Sequence, residues 1–162
     1  MRPRSILFLC EGNICRSPYA EHRLRRILSP DVADRITIRS AGFGRWNRPS
    51  PSAALAEAER RGIDLTSHRS RAVTHDVVDS TDLFVVTARH QERRLRAEQG
   101  VDPDKIVHLG DLDPRAIRQR TIVDPWGKED EVFHRSYDRI DRCLEVLARH
   151  LKGVVLPADR EA

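Results

Sequence analysis

The apolar run Ser5–Leu9 constrains the fold most, because residues that interrupt regular structure follow it at once. The run has the length and composition of a buried strand. Gly12 and Asn13 break any continuation of that strand, and Pro18 suits the first turn of a helix. The predicted order is therefore strand, tight loop and helix, and Cys10–Ser17 forms the loop at the carboxyl end of the strand.

The rest of the chain alternates between strand and helix patterns. Further strands are predicted at Arg35–Arg39, Leu83–Val86 and Ile106–Leu109, and helices at Tyr19–Leu28, Ser52–Arg61, His90–Gln99 and Glu129–Lys152. Ser40-Ala41-Gly42 is expected to stop the second strand. This alternation predicts an α/β fold, in which a four-stranded parallel sheet carries helices on both faces in a Rossmann-like arrangement. We expect one domain over residues 1–155 and a short C-terminal tail over 156–162.

Composition argues against several classes of function. The net charge is +4, but the basic residues are scattered among 25 acidic ones and aromatic residues make up only 5% of the chain. Base stacking therefore has few platforms, and we expect no nucleic-acid partner. No segment approaches the roughly 18 apolar residues that a membrane-spanning helix needs, so we expect a cytoplasmic protein without a membrane partner. No Cys-x-x-Cys or closely spaced His pair offers a metal site, and we expect no cofactor.

Cysteine spacing alone does not identify a site. Cys10 is followed six positions later by Arg16, but Cys143 is followed at the same distance by Arg149. The second pair lies in a helical pattern without glycine, where a packed cysteine and a solvated arginine are expected. Three cysteines do not indicate a disulfide framework. The position of the first pair after a strand is what makes it chemically interesting.

The loop after the first strand has the residues that a phosphate site requires. Successive backbone N–H groups at a strand-to-helix junction can converge on an anion, and Gly12 permits backbone geometry that other residues resist. Arg16 can hold two phosphoryl oxygens with its planar guanidinium. Ser17 offers a hydroxyl to the sulfur of Cys10. The loop is therefore predicted to combine a thiolate nucleophile with a cradle for a phosphoryl group.

These residues resemble those of a known family. Ile-Leu-Phe-Leu followed by Cys-Glu-Gly-Asn-Ile-Cys-Arg-Ser-Pro is similar to the phosphate loop of the low-molecular-weight protein tyrosine phosphatases. The resemblance covers nearly the whole chain, since four further segments match the family in order: Ser40-Ala41-Gly42, residues 64–71, Asp82–Val86 and Val123-Asp124-Pro125-Trp126-Gly127.

The resemblance implies hydrolysis of phosphotyrosine in tyrosine-phosphorylated proteins through a phosphocysteine on Cys10, with Arg16 in the phosphate loop. Asp124, which by itself would be a turn residue before proline, takes the place of the general acid. Asp113 also precedes a proline but is interpreted as a turn. The residues expected to bind substrate are Glu11, Gly12, Asn13, Ile14, Cys15, Ser17, Trp46 and Trp126. We expect a monomer or weak homodimer.

Several side chains are assigned supporting roles on the same basis. The resemblance implies a hydrogen-bond network that holds the loop in shape, formed by Asn13, Ser17, Ser40 and His68. Cys15 would trap an oxidised Cys10 as a disulfide, although a small packed residue is the alternative. Trp46 and Trp126 would either flank an aromatic substrate ring or anchor their loops.

Other activities remain open. A thioredoxin-coupled arsenate reductase of this fold would need two further cysteines downstream, and residues 72–100 contain none. A protein arginine phosphatase would carry a threonine where this chain has the apolar Ile14. A domain that only binds phosphorylated partners would not need Cys10, Arg16 and Asp124 together. Phosphotyrosine hydrolysis is therefore the preferred prediction.

Overall fold

A computed structural model describes residues 3–44 and 47–155, and its described strands form one parallel sheet. The strands are β1 (Ser5–Cys10), β2 (Thr37–Gly42), β3 (Leu83–Val86) and β4 (Ile106–His108), in the order β2-β1-β3-β4. The predicted four-stranded parallel sheet is thus confirmed. The predicted tail 156–162 lies outside the described residues.

Helices cover both faces of this sheet. They are α1 (Arg16–Ile27), α2 (Pro30–Ala33), α3 (Ser52–Arg60), α4 (His75–Asp79), α5 (Arg89–Gln99) and α6 (Asp130–Val155). The fully buried strand β1 explains the two layers, because its alternate side chains face opposite sides. Ile6 and Phe8 join the core formed with α1, α3 and α6, whereas Leu7 and Leu9 join the core formed with α4 and α5. Among the described residues, no helix is both long and apolar enough to cross a membrane.

The second strand differs from the sequence expectation. It begins at Thr37 and continues to Gly42, so the expectation that Ser40-Ala41-Gly42 stops it is wrong. Each of these small residues pairs with a residue of β1, and the last pair is Cys10 with Gly42. At Gly42 the strand runs against the loop that follows β1, so close that a Cβ there would lie 2.8 Å from the Asn13 nitrogen.

Other boundaries shift by a few residues. The short helices α2 and α4 and the short 3₁₀ turns Pro103–Lys105 and Leu109–Leu112 are absent from the sequence prediction. Leu109 was expected to close the fourth strand but begins the second of these turns.

The long loop that leads to α6 is attached to that helix by a buried carboxylate. The side chain of Asp113 is 2% exposed and forms ion pairs of 3.1 Å with Arg139 and 3.0 Å with Arg142. Asp113 also forms a turn, as predicted from the proline that follows it, because its Oδ1 accepts a hydrogen bond from the backbone N–H of Arg115. The loop that carries Asp124 is thereby fixed against α6.

Candidate active site

The candidate site lies where β1 ends and α1 begins. Cys10 is the last residue of β1 and Arg16 is the first residue of α1. The chain proceeds from β1 to β2 on one side, while β3 lies on the other side of β1. Ligands of open parallel sheets bind at such a switch point, outside the carboxyl ends of the strands. The fold therefore places the loop 11–15 where the sequence predicts a binding site.

A hydrogen-bond chain leads to the sulfur of Cys10. The Asn13 side-chain amide donates to Ser17 Oγ over 2.9 Å, and Ser17 Oγ lies 2.9 Å from Cys10 Sγ. When the sulfur is ionised, as a nucleophilic thiolate must be, the Ser17 hydroxyl is the donor of that second bond. All three side chains are buried. These hydrogen bonds therefore present the Ser17 hydroxyl to the sulfur from the buried side of the loop.

Asn13 carries the unusual backbone conformation of the loop. Its φ is +53°, and the backbone of Gly12 has no positive φ, so the expected conformational role of Gly12 is wrong. Asparagine tolerates the left-handed region because its short polar side chain bonds locally. Its Oδ1 here accepts a hydrogen bond from the backbone N–H of Arg71 over 2.9 Å. Asn13 therefore both shapes the loop and ties it to a neighbouring segment.

Two carbonyl groups of the loop are held from outside it. The Glu11 carbonyl accepts from the backbone N–H of Phe43 over 2.8 Å, and the Asn13 carbonyl lies 2.7 Å from His68 Nε2. Since a carbonyl only accepts, Nε2 must carry the proton. Burial lowers the pKa of His68, so the neutral imidazole is favoured. These bonds turn two carbonyls away from the position that an anion would occupy.

The guanidinium of Arg16 is buried, and not all of its N–H groups have hydrogen-bond partners among the described residues. It is 3% exposed, and its Nη1 donates to the Ile122 carbonyl over 2.9 Å. Its Nη2 lies 3.2 Å from Asp124 Oδ2. Its Nε has no hydrogen-bond partner among the residues that the structure describes. A bound oxyanion would satisfy that N–H, because an unpaired buried donor costs free energy.

Asp124 faces the loop from the opposite side. Its side chain is 47% exposed, and its Oδ1 accepts a hydrogen bond from the backbone N–H of Trp126 over 3.1 Å. The carboxylate is thus oriented by a tight turn and by Arg16, and it remains accessible to a ligand. Trp126 is 57% exposed beside it and presents an unpacked ring. Trp46, the other predicted aromatic wall, lies outside the described residues.

A cleft of about 210 Å³ brings most of the predicted residues together. It is lined by Cys10, Glu11, Gly12, Ile14, Cys15, Arg16, Gly44, Arg48, Asp124 and Trp126. Asn13 and Ser17 were predicted to bind substrate, but they do not line this cleft: both are fully buried beneath it, where they hold the loop. A larger depression of about 390 Å³ between residues 115–123 and α6 has no cysteine among its lining residues, and the hydroxyl of Ser136 in it donates to the Val123 carbonyl.

Ser40 does not contact the loop in the way predicted. Its hydroxyl donates to a carboxylate oxygen of Glu21 in α1, and that acceptor lies outside the loop. The register of the two strands explains this contact. Ser40 pairs with Phe8 and therefore lies two residue pairs before Cys10, where β1 ends. Ser40 consequently supports α1 against the sheet.

Glu11 and Cys15 occupy different environments in the loop. The Glu11 carboxylate is exposed and lies 2.8 Å from His90 Nε2 and 3.5 Å from Arg94 Nη1, both on α5. Cys15 is buried, and this burial raises the pKa of its thiol well above its usual value. Both Cys10 and Cys15 are free thiols. The redox role of Cys15 stays a prediction.

Two glycines and one arginine of the site escaped the sequence prediction. A Cβ on Gly42 would lie 2.8 Å from both Asn13 N and the Glu11 carbonyl oxygen, closer than such contacts allow. The Ser-Ala-Gly motif was the available signal for this residue. Gly44 and Arg48 line the cleft without any motif, and only the path of the chain after β2 brings them there.

The comparisons with known proteins agree with this geometry. Residues 5–155 match the family model described as low molecular weight phosphotyrosine protein phosphatase. The chain belongs to this family. The predicted resemblance is confirmed, and so is the prediction of an enzyme of this hydrolase class.

Individual relatives of the family differ in their named activity. The low molecular weight phosphotyrosine protein phosphatase of Sus scrofa is 32% identical and covers 92% of this chain and 96% of its own length. The protein-arginine-phosphatase of Bacillus subtilis is 30% identical and covers 91% and 96%. The crystal structure of the tyrosine phosphatase Wzb from Escherichia coli K30 in complex with sulphate superposes with a TM-score of 0.80 at 28% identity, over 92% of this chain and 99% of that one.

Proposed function

We propose that this chain is a protein-tyrosine phosphatase that works through a phosphocysteine on Cys10, with Arg16 as the phosphoryl ligand and Asp124 as general acid and base. One observation carries the proposal. The cleft combines a sulfur at the end of β1, a buried guanidinium N–H without a partner among the described residues, and a half-exposed carboxylate. Nucleophile, anion ligand and proton donor are the groups that this reaction requires.

The reaction then has two steps. The Cys10 thiolate attacks phosphorus, an S–P bond forms, the bond to the tyrosyl oxygen breaks, and Asp124 gives its proton to the departing phenolate. In the second step Asp124 accepts a proton from water as that water attacks phosphorus. The S–P bond breaks, and the thiolate that leaves accepts the hydrogen bond of the Ser17 hydroxyl, 2.9 Å away.

Phosphoarginine is the competing substrate class, since a protein-arginine-phosphatase is among the relatives. Two features favour phosphotyrosine. Ile14 presents an apolar side chain to the cleft, and the exposed Trp126 ring stands beside Asp124. Apolar and aromatic walls match a phenyl ring better than a guanidinium that needs hydrogen-bond acceptors. The substrates would be phosphorylated proteins, and the cytoplasmic location and the monomeric or weakly dimeric state stay predictions.

Parallel turnover assays test the proposal. Phosphotyrosine, phosphoserine and phosphoarginine peptides are compared at equal concentration, with arsenate plus thioredoxin as a further arm. We expect phosphotyrosine to be preferred, because the leaving group needs an apolar wall and one proton. Faster release from phosphoarginine, or arsenate reduction, would contradict the assignment of substrate class.

Substitution of the nucleophile and of the acid tests the mechanism. We expect Cys10→Ser to abolish phosphate release, whereas Cys143→Ser is the matched control, since Cys143 is buried in α6 away from the loop. We expect Asp124→Ala to slow aryl phosphates with poor leaving groups strongly and those with acidic leaving groups less. Residual turnover by Cys10→Ser would refute the nucleophile, and equal losses on both leaving groups would refute the acid.

A further inference from the structure

A third carbonyl of the phosphate loop is held by a residue of the last helix. The hydroxyl of Tyr137 in α6 donates to the backbone carbonyl of Cys15 over 2.9 Å, across 122 residues of sequence. Tyr137 is fully buried, and burial raises the pKa of its hydroxyl well above its usual value. The hydroxyl therefore stays protonated and acts as a permanent donor.

The direction of this carbonyl fixes the direction of the next N–H group. In a planar trans peptide the C=O and the N–H of one bond point in opposite directions. The Cys15–Arg16 peptide therefore directs the N–H of Arg16 away from Tyr137. That N–H belongs to the first turn of α1, whose donors have no acceptor within the helix and form its positive end. Arg16 itself lines the cleft beside Cys10.

We propose that Tyr137 is a positioning residue of the active site: its hydroxyl holds the Cys15–Arg16 peptide so that the N–H of Arg16 binds the phosphoryl group. The proposal rests on the proposed function, since it assigns the loop to phosphate. It extends the arrangement seen at Glu11 and Asn13, whose carbonyls are also held from outside. Three alternate carbonyls then face away from the anion, and the N–H groups that follow them face toward it.

The packing of Tyr137 suits such a role. Its ring stacks on that of Tyr19 with centroids 4.0 Å apart and an interplanar angle of 10°, and Phe133 meets it edge-on at 6.3 Å. Stacking of this kind restricts the ring and so places the hydroxyl. A neutral hydrogen bond between two buried groups is lost outright on deletion of the donor, because water cannot take its place.

Tyr19 supplies a matched control within the same pair of rings. It is as deeply buried as Tyr137, but its hydroxyl donates to Asp141 over 2.6 Å and not to the loop. Asp141 in turn pairs with Arg23 and Arg61, and neither of these residues belongs to the loop. Tyr19→Phe therefore removes an equivalent hydroxyl while leaving the Cys15 carbonyl with its donor.

The experiment compares Tyr137→Phe and Tyr19→Phe with the wild-type chain. Binding of inorganic phosphate is measured by calorimetry, kcat and KM are measured with p-nitrophenyl phosphate, and Tm is recorded for each protein. We expect Tyr137→Phe to bind phosphate roughly three- to tenfold more weakly and to lose kcat/KM by a similar factor, the range that one neutral hydrogen bond carries. We expect Tyr19→Phe to stay within about twofold in both, whatever its Tm.

Each outcome decides the assignment. Wild-type phosphate affinity in Tyr137→Phe, or equal losses in both variants, would overturn the positioning role. The wild-type chain could also bind phosphate without any turnover, while Tyr137→Phe binds it more weakly. That result would support the positioning role of Tyr137 and refute only the proposed function. A wild-type chain that does not bind phosphate would refute both.

Discussion

Replacing Ser17 with alanine separates the two chemical steps of the proposed reaction. Ser17 Oγ lies 2.9 Å from Cys10 Sγ and receives the Asn13 amide hydrogen, which leaves the hydroxyl proton for the sulfur. In the first step the sulfur loses charge, so the missing bond raises the energy of the reactant thiolate along with that of the transition state. In the second step the sulfur gains charge as it leaves, and only the transition state is affected.

The structure sets the size of the effect. Ser17 is fully buried, so water does not replace the lost donor. A hydrogen bond to a charged acceptor contributes about 1.5–3 kcal/mol, which corresponds to a factor of roughly 10–150 in rate at about 1.36 kcal/mol per tenfold change. We expect Ser17→Ala to slow hydrolysis of the phosphocysteine by that factor, while its formation slows much less.

Rapid mixing with p-nitrophenyl phosphate measures the two steps. We expect a burst of nitrophenolate close to one equivalent per active site, followed by slow steady turnover. Ser5→Ala is the control: Ser5 lies at the opposite end of β1, where its Oγ accepts from the backbone N–H of Asp82 over 2.8 Å. That variant should lose about 1 kcal/mol of stability and keep its kcat. A steady-state rate within twofold of wild type, with no burst, would refute the reasoning for Ser17.

Two further predictions concern the shape of the loop. We expect Gly42→Ala to lower kcat/KM at least tenfold, because its Cβ would lie 2.8 Å from backbone atoms of the loop. In Gly44→Ala the Cβ would lie 3.5 Å from the nearest atoms, so kcat/KM should change about twofold or less. Equal kinetics for the two variants would contradict the close approach at Gly42. Burial lowers the pKa of His68 below its ordinary 6.5. As the pH falls, the imidazole is therefore protonated in the unfolded chain before it is protonated in the folded one. The free energy of unfolding consequently decreases below about pH 6.5. Urea unfolding between about pH 7.5 and 5.5 should show a shallower decrease for His68→Gln, and identical slopes would contradict the assignment.

Local patterns were sufficient to predict the framework of the site. The apolar run of β1, the break after it and Pro18 each act over a few residues, so the sequence places Cys10 and Arg16 at a strand-to-helix junction. The predicted parallel sheet follows from the alternation of strands and helices. The role of Asp124 as general acid could be predicted only from the resemblance to a family, since an Asp-Pro dipeptide alone indicates a turn.

The sequence predictions that are wrong concern features that depend on contacts between distant segments of the chain. Gly12 was the natural candidate for a special backbone conformation, but Asn13 adopts it because Arg71 and His68 lie within reach of its side chain and carbonyl. Ser40-Ala41-Gly42 resembles a strand end, but all three residues pair with β1, and only the closeness of the neighbouring loop shows why the last of them is glycine.

Tyr137 illustrates the same limit from the helix side. The spacing of apolar residues predicts which face of the last helix is buried. It does not predict that one hydroxyl on this face meets the carbonyl of Cys15, because the two residues are 122 positions apart. Arg48 enters the cleft for a similar reason, since the course of the chain after β2 decides where its side chain lies.

The distances along the chain between the loop and its supports bear on how this enzyme matures. During translation Cys10–Ser17 leaves the ribosome before its supports. His68 and Tyr137, which hold the Asn13 and Cys15 carbonyls, follow 55 and 122 residues after those partners. Closing contacts over such spans costs chain entropy that only the packed core offsets. The proposed nucleophile Cys10 is therefore synthesised before its loop has the supports that shape it, and on this proposal a nascent chain acquires a complete phosphate site only when α6 has docked.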